Sequence, residues 1–526
     1  MISSRALARA GLIVSGAFLV SRVLGWVRVL VITNAFGGAA SIDRLDEFWQ
    51  AFRLPDLVFQ LVAAGALASA GVPIVAALLA NDETARTWRV VSTIANLMML
   101  GLLISGVLVF VAAPLLVPTI IAPGWDDVRW ARTVDLTRIM ILSPIFLALG
   151  SLITSVLNAS GRFAVSAIAP IVYNLAIIGS AIVLAPTLGV SGLAIGVVAG
   201  SLGHFLIQIG SLRSLGFRYD RNIDIADPEA RTALKLMAPR AIGLGAGQIT
   251  FVVVGSLAST LHPDGAVTVF NAAFTLLQIP IGVIGVPLGV VVLPSLSREA
   301  GIGNLHGFAA LMSRAIRLIL FVMVPITGLG IVLRHDIVAV LYGGLSSGAV
   351  DLTAATLLAF LTGLTAHALI AILARAFYAR KDTRTPVVAA IVAVVINSTL
   401  AALLIGPFGL PGLALAIAIA AWIETIALLV LLQRSLPELA FRPLLSLGVR
   451  SLIVTIGGSL GAAGVLAGLT LAMGDHPGRL DLIIRITIVG IVWLLTSAAA
   501  SLVLRIDELT SIIALMLDLV RRRRPA

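Results

Sequence analysis

The 526-residue chain contains no cysteine and only two lysines, Lys235 and Lys381. The absence of cysteine excludes disulfides, thiolate metal ligands and cysteine nucleophiles. Neither lysine follows a glycine, so the GxxxxGK[ST] loop of ATP-driven transporters is absent, and there is no HExxH motif. We therefore expect a protein that is not an enzyme, holds no metal and uses no cofactor.

Charged residues are also scarce, at 12% of the chain, whereas soluble domains carry about 25%. Hydrophobic residues make up 59%, too many to bury in one aqueous core, so the composition predicts an all-α polytopic membrane protein. Because about 20 apolar residues span a bilayer, we predict about fourteen transmembrane helices. They cover approximately residues 8–36, 46–80, 90–121, 135–158, 163–187, 190–213, 232–261, 265–296, 307–333, 350–379, 385–406, 411–433, 443–473 and 481–505.

Basic residues exceed acidic ones and give a net charge of +11. With a cytoplasmic N-terminus, the arginine-rich connections around Arg162, Arg218 and Arg380 all fall inside, and the opposite connections carry little charge. This bias predicts that both termini are cytoplasmic, and it gives no reason to expect nucleic acid as a partner. The four arginines at 521–524 are interpreted as an inside anchor, with binding of anionic membrane lipids as the alternative.

Several local patterns recur about 220 positions apart, which indicates an internal repeat. The pairs are Gly189 with Gly409, Gly192 with Gly412, Asn174 with Asn397, and Pro73 with Pro294. The repeat predicts two six-helix lobes, 1–220 and 221–442, related by a parallel pseudo-two-fold, with two extra helices and a basic cytoplasmic tail in 443–526. A cavity between such lobes suits alternating access, and no motif of a channel filter is visible.

Charged residues inside the predicted spans are the candidates for a substrate site, because a charge at bilayer depth costs about 2.5–3.5 kcal/mol. They are Arg22 and Arg28 in the first span, Asp46 and Arg53 in the second, and Arg240 in the seventh. Arg28 is the deepest, within continuous apolar sequence, and favours an anion-binding cavity. For Arg53 and Arg240 the alternative is snorkelling to the interface or neutralising a neighbouring carboxylate.

Glu424, near the middle of the twelfth span, is a candidate for a coupling proton or cation, and Asn397 in the eleventh is a second candidate. The alternative for both is a hydrogen bond between helices. Prolines interrupt spans two and eight, the same position in each lobe. These predicted hinge residues are Pro55, Pro73, Pro280, Pro287 and Pro294. Broken helices at corresponding positions point to the transport site, which we expect between these spans and spans one and seven.

Several motifs together resemble those of the MurJ (MviN) lipid II flippases of the MOP transporter superfamily. They are SRVLGWVR at 21–28, FRLP at 52–55, VPI at 72–74, LPSLS at 293–297 and FYARKDTRTP at 377–386. The resemblance covers about residues 1–440. It implies a bacterial inner-membrane protein that flips lipid-linked peptidoglycan precursor to the outer leaflet through a cationic cavity. It also implies that the last two helices form a groove for the polyprenyl tail.

The chain departs from the family at several positions that would bind phosphate. The LPN motif reads Leu54-Pro55-Asp56, and the stretch after it, which usually carries arginine, reads Leu57-Val58-Phe59-Gln60. Phe274 and Thr275 replace an Asp-Arg pair. Either Asp43 or Asp46 could match the family aspartate, and the register with the FRLP motif favours Asp46. Much of the expected arginine set is therefore missing, and the seventh-span arginine could compensate.

The leading hypothesis is a flippase for a polyprenyl-diphosphate-linked precursor, with lipid II as the expected substrate. One alternative is an exporter of another lipid-linked glycan or amphiphile. A second alternative, from a different functional class, is a non-transporting scaffold of envelope synthesis. Expected partners are membrane lipids and the cell-wall synthesis machinery, and we expect a monomer. Neutralising Arg28 separates the classes, because it should abolish flipping and leave a scaffold intact.

Overall fold

The computed structural model describes residues 4–38, 41–64, 72–262, 264–474 and 477–510, and all regular elements in these ranges are helical. The first ten helices are α1 (Ser4–Phe36), α2 (Ile42–Phe59), α3 (Val72–Ala80), α4 (Thr84–Leu116), α5 (Asp127–Met140), α6 (Ser143–Ala159), α7 (Phe163–Val183), α8 (Ala185–Leu188), α9 (Val190–Arg213) and α10 (Pro228–Ala258). The others are α11 (Ala266–Pro280), α12 (Val286–Gly301), α13 (Leu305–Leu341), α14 (Ser347–Leu361), α15 (Leu364–Ala379), α16 (Arg384–Ser435), α17 (Phe441–Met473) and α18 (Arg479–Val503). The all-α prediction is confirmed, and the arginines at 521–524 lie outside the described residues.

Ten described helices are long and apolar enough to cross a membrane, or eleven if α14 and α15, bent by 44°, form one span. One straight helix of the 52 residues of α16 would be about 78 Å long, more than twice the thickness of the hydrocarbon core. It consists of two helices joined at Gly409, whose φ is +58° and ψ is −138°. The multi-pass architecture is thus confirmed, while the count of fourteen spans stays a prediction.

The chain forms two compact units, residues 1–268 and 269–526. The core of the first unit contains large apolar side chains from five helices, including Ile32, Phe48, Leu136, Ile177 and Val197. Helix α10 packs in this unit against α2 and α4. The division into six-helix lobes at 220 and 442 stays a prediction.

In the second unit, α13 is the central helix and packs against α14, α15, α17 and α18. Leu333 of α13 lies in a buried cluster with Ala462 of α17 and Trp493 of α18. A buried ion pair joins the same region, because Arg485 of α18 lies 3.2 Å from Asp336 of α13. The last two helices therefore pack as an integral part of this unit.

The repeated glycines have the same local structure in both units. Gly189 has φ +58° and ψ −144°, nearly the angles of Gly409, a region that side chains with a Cβ rarely enter. A Cβ added to Gly192 would lie 2.8 Å from the carbonyl carbon of Leu184, and one added to Gly412 would lie 2.8 Å from that of Leu404. Each glycine pair thus forms a tight turn that lets two antiparallel helices start in close contact.

The preceding hairpins also correspond. Arg162 donates hydrogen bonds to the hydroxyl of Ser214 and to the carbonyl of Ser211, at the end of α9. Arg380 bonds Ser435 in the same way at the end of α16, at 2.6 Å to the hydroxyl and 3.1 Å to the carbonyl. Cationic side chains near a helix C-terminus satisfy its last carbonyl groups. These matched contacts support an internal repeat.

Two helices are interrupted at the predicted broken spans. Helix α2 continues into a π-helical turn at Gln60–Ala64, and α11 ends at Pro280, where a π-helical turn at Ile281–Gly285 leads into α12. The remaining hinge candidates lie inside α2 (Pro55), in the first turns of α3 (Pro73) and α12 (Pro287), and inside α12 (Pro294). Proline and π turns both break the regular helical hydrogen bonding. The hinge role itself stays a prediction.

Candidate substrate site

Helices α1 and α7 of the first unit hold Arg28 against an aromatic side chain. Its guanidinium carbon lies 5.7 Å from the centre of the Tyr173 ring. One residue further along α7, the amide of Asn174 donates to the backbone carbonyl of Ser21 on α1, at 3.4 Å. The aromatic face limits the orientations open to this half-buried cation.

Helix α2 adds a second arginine and an acid. The guanidinium of Arg53 lies 5.2 Å from the centre of the Phe251 ring on α10. Asp56, about one turn along α2, carries a charge that acts on both Arg53 and Arg28, and Gln60 follows it one turn further on. We call Arg28, Arg53, Asp56, Gln60 and Tyr173 the arginine cluster. It carries two formal positive charges and one negative charge.

The arginine cluster has the chemistry of a phosphate site. A guanidinium is planar and presents its N–H groups as a fork that matches phosphate oxygens, and stacking on a ring limits its rotation. Because both arginines are half-buried in an apolar helical unit, their field is weakly screened by water. The acid reduces the net charge to +1, so an anion of higher charge would be only partly neutralised here.

The structure places two other predicted arginines differently. Arg22, on α1, is exposed and does not contact the arginine cluster in the described residues. Arg240 lies on the helical backbone of α10, the helix that carries Phe251, and its side chain is outside the described residues. Among the predicted substrate residues whose side chains the structure describes, Arg28 and Arg53 are the two arginines that share Asp56 as a nearby acid.

Asp46 lies in a separate buried group, at the N-terminus of α11. Its carboxylate accepts hydrogen bonds from the backbone N–H groups of Gly265, at 2.9 Å, and Thr268, at 2.7 Å. The nearest cation is Arg129 of α5, at 3.9 Å, and the residue is only 2% exposed. A carboxylate in this position caps the helix and stabilises the positive end of its dipole.

The neighbouring charges of this group neutralise one another. Glu47 accepts hydrogen bonds from Arg132 at 2.6 and 3.0 Å, and Arg129 lies 2.5 Å from Asp264 and 3.7 Å from Glu47. The Arg129 guanidinium also lies 4.1 Å from the centre of the Trp125 ring. Each buried acid has a cationic partner, so this group is arranged to join α2, α5 and the start of α11.

Sequence reasoning missed part of both groups. Asp56 was recognised only as a departure from the family motif, although its spacing of three from Arg53 is that of a pair on one helix face. A fourth span that starts at residue 135 leaves out Arg129 and Arg132, which α5 in fact carries. The ring of Tyr173 gave no signal, because an aromatic residue in an apolar span is most often core.

The coupling candidates lie in the second unit. Glu424 is half-buried and lines a 440 Å³ slot between the two halves of α16, with Arg384, Thr385 and otherwise apolar residues. Asn397 is buried, does not line this slot, and neither of its side-chain polar atoms has a hydrogen-bond partner in the described residues. The structure therefore does not bring the two candidates into one site.

A much larger apolar groove lies between α13, α15, α16 and α17, and we call it the tail groove. Its volume is 1030 Å³, and its lining includes Ile316 and Ile331 of α13, Trp422 of α16, and Phe441 and Leu452 of α17. Apart from one arginine and a few hydroxyl groups, the lining is entirely apolar. Such a groove fits a long hydrocarbon chain.

Comparison with known proteins gives the family. A family model described as lipid II flippase MurJ matches residues 32–474. The chain is 33% identical over 435 residues to the probable lipid II flippase MurJ of Rhizobium tropici, covering 80% of each chain. It is 31% identical to the lipid II flippase MurJ of Burkholderia cenocepacia, covering 81% of this chain and 84% of the relative. The chain belongs to the MurJ family.

Solved structures agree on the fold. A MurJ structure titled as inward closed superposes with a TM-score of 0.76 at 23% identity, covering 93% of this chain and 99% of that chain. An inward-facing multidrug resistance MATE transporter of the MOP superfamily gives 0.65 at 16% identity, covering 80% of this chain and 95% of that chain. The fold is thus that of MOP transporters, and this MurJ-family chain is a multi-pass membrane protein.

The family match also limits what can be carried over. It begins at Ile32, so Arg22 and Arg28 lie outside it, and the place of Arg28 in the site rests on its contact with Tyr173. Where the family usually has an Asp-Arg pair, Phe274 packs in parallel on Phe270, with ring centres 6.2 Å apart. An apolar contact thus replaces a charged pair in this chain.

Proposed function

We propose that this chain moves lipid II, a polyprenyl-diphosphate-linked peptidoglycan precursor, from the inner to the outer leaflet of a bacterial cytoplasmic membrane. The observation that carries the proposal is the arginine cluster, in which Arg28 and Arg53 are held on aromatic rings inside an apolar unit. Membership of the MurJ family supports lipid II as the substrate. The protein would act as a transporter and make or break no covalent bond.

In this mechanism the diphosphate binds the guanidinium groups of Arg28 and Arg53. Asp56 would balance part of the charge of the two arginines while the site is empty, and the diphosphate would replace it as their counter-charge when the substrate enters. Arg22 on α1 and Arg240 on α10 would attract the headgroup toward the cluster. For Asp46, the capping contacts support a role in fixing α11 rather than in touching the headgroup.

The tail groove would hold the polyprenyl chain while the headgroup crosses. Its apolar lining matches a hydrocarbon, so the chain would remain in an oil-like environment throughout the cycle. Alternating exposure of the headgroup site would then move only the polar part across the bilayer. In this arrangement both chain termini are cytoplasmic and a monomer suffices.

Glu424 is our proposal for coupling to an ion gradient. It has no hydrogen-bond or ion-pair partner in the described chain, and its slot offers one carboxylate and the hydroxyl of Thr385 as oxygen ligands. A hard metal cation needs about six or more oxygens, whereas a proton needs one. The chemistry therefore favours a proton over a metal ion, and Asn397 would act in packing between helices.

Complementation tests the function directly. A bacterium depleted of its own lipid II flippase would receive wild type, Arg28→Ala, or Arg89→Ala as a matched control on an exposed arginine of the same unit. We expect rescue by wild type and by Arg89→Ala, and failure of an Arg28→Ala protein that is expressed and inserted normally. Rescue by all three would remove Arg28 from the mechanism.

The same experiment addresses the alternatives. A scaffold of envelope synthesis would tolerate Arg28→Ala, because its role would need no bound diphosphate. If correctly inserted wild type does not rescue, lipid II is not its substrate in that cell, and the reduced charge created by Asp56 and Gln60 favours another lipid-linked glycan or an amphiphile. Direct binding of each headgroup class to the purified protein would then separate these substrates.

A further inference from the structure

Among the described residues, the lining of the tail groove contains one charged side chain, that of Arg334, near the C-terminal end of α13. Its guanidinium donates to the carbonyl of Ile331 on the same helix, at 2.6 Å. A guanidinium has five N–H donors, so most of its capacity remains available. A cation at one end of an apolar groove is complementary to a ligand with a long hydrocarbon chain and an anionic headgroup.

The acidic residues around Arg334 are engaged elsewhere. Asp336 faces Arg485 at 3.2 Å and His335 at 3.8 Å, and His335 also lies 3.1 Å from Asp351. Among the described residues, no carboxylate forms an ion pair with Arg334. The positive charge at the end of the tail groove is therefore not neutralised by the protein.

The length of the tail groove indicates which type of hydrocarbon chain fills it. Along α13 its lining runs from Ile316 to Arg334, about 27 Å along the helix axis. On α17 it continues from Phe441 to Leu466. One leaflet of the hydrocarbon core is about 15 Å thick, so an ordinary acyl chain would fill about half of this length. A polyprenyl chain is long enough to fill both halves.

The arginine distribution places the N-terminal end of α13 on the cytoplasmic side, and Arg334 on the outer side. We propose that Arg334 binds the phosphate of a polyprenyl phosphate lipid whose headgroup is in the outer leaflet and whose chain occupies the tail groove. This inference rests on the proposed function and adds a second phosphate site to it. The site would hold the lipid after its headgroup has crossed and oppose its return.

Binding measurements on the purified full-length protein test this directly. The ligands are a polyprenyl monophosphate and the polyprenol of the same chain length, and every protein carries Arg28→Ala, so that the arginine cluster does not dominate phosphate binding. We expect the phosphate to bind about tenfold more tightly than the alcohol. Arg334→Gln should abolish that preference while leaving polyprenol binding unchanged, and Arg334→Lys should keep most of it. Arg314→Gln, at an exposed arginine near the opposite end of α13, is the matched control.

Each outcome decides the question. A phosphate preference that survives Arg334→Gln, or is lost equally in Arg314→Gln, places the phosphate elsewhere and overturns the proposal. Displacement of the polyprenyl phosphate by equimolar phosphatidylglycerol also overturns it, because the groove would then be a general lipid site. If Arg334→Gln weakens polyprenol binding as well, Arg334→Lys decides the question. A phosphate preference that Arg334→Lys keeps supports the proposal, and a preference that it loses contradicts the proposal. If the protein fails to complement the depleted bacterium but still prefers polyprenyl phosphate in a way that depends on Arg334, lipid II flipping is refuted and the phosphate site at Arg334 stands.

Discussion

Asp46 is the predicted substrate residue for which the structure gives the most specific alternative. Its carboxylate accepts two backbone hydrogen bonds at the start of α11, at 2.7 and 2.9 Å, and lies 3.9 Å from Arg129. A hydrogen bond to a charged group contributes about 1.5–3 kcal/mol. Asn retains one carbonyl acceptor, so we expect Asp46→Asn to cost about 2 kcal/mol. Asp46→Ala removes both bonds and a buried charge, and should cost about 3–5 kcal/mol.

The assay is thermal unfolding of the purified protein in detergent, together with the Kd for lipid II. At about 2–4 °C per kcal/mol, Asp46→Asn should lower the Tm by about 4–8 °C and leave the Kd within about twofold. The matched control is Asp43→Asn, because Asp43 is more exposed and its side chain pairs only with Arg44, at 3.7 Å. An unchanged Tm together with a Kd weakened tenfold would refute the capping role and restore Asp46 to the substrate site.

Two further perturbations test local features of the fold. Gly409→Ala should lower the free energy of unfolding by about 1–3 kcal/mol, because the φ of +58° is strained for alanine even though the new Cβ would meet no neighbouring atom. Gly406, which has no positive φ, is the control, and Gly406→Ala should be neutral. Equal Tm values for the two variants would contradict this reasoning. The hydrogen bond from Arg86 holds the pKa of Asp227 below its usual range, so the stability it gives is present above about pH 3.9 and is lost as the pH falls through the lowered value. At pH 7, Asp227→Asn should therefore lower the amide protection factors, which are corrected for the intrinsic pH dependence of exchange, in the linker 214–227. Wild-type protection factors should fall to the same level only below about pH 4, and a linker insensitive to both changes would contradict the role of the pair.

Most of the helical architecture could be predicted from the sequence, because the signal for a membrane helix is local. A run of about 20 apolar residues must form a helix in lipid, since every backbone polar group needs a partner. The turn at Gly409 was also visible, as a repeat of the pattern at Gly189, because only glycine suits its backbone angles. The bend between α14 and α15 was not visible, since it does not change the hydropathy pattern. The predicted fourth span started at residue 135, because the charged first turns of α5, which begins at Asp127, are not apolar.

The candidate site was less predictable, because its contacts join residues far apart in sequence. Arg28 and Arg53 could be selected as intramembrane charges, but their partner rings at Tyr173 and Phe251 depend on how α1, α2, α7 and α10 pack. The cap that Asp46 provides is formed with backbone N–H groups more than 200 residues away. Periodicity assigns a residue to a helix face and carries no information on which distant backbone that face meets.

The balance of charge in the arginine cluster bears on how a flippase releases its substrate. A site built only from cations would bind a diphosphate tightly and would have to lose that energy again to let it leave. In the proposed mechanism, Asp56 would compete with the diphosphate for Arg28 and Arg53, so it would weaken binding and balance the charge of the arginines when the substrate departs. Transport requires a modest affinity that is matched on the two sides of the membrane, and a cluster with a single net charge provides it more readily than one with three or four.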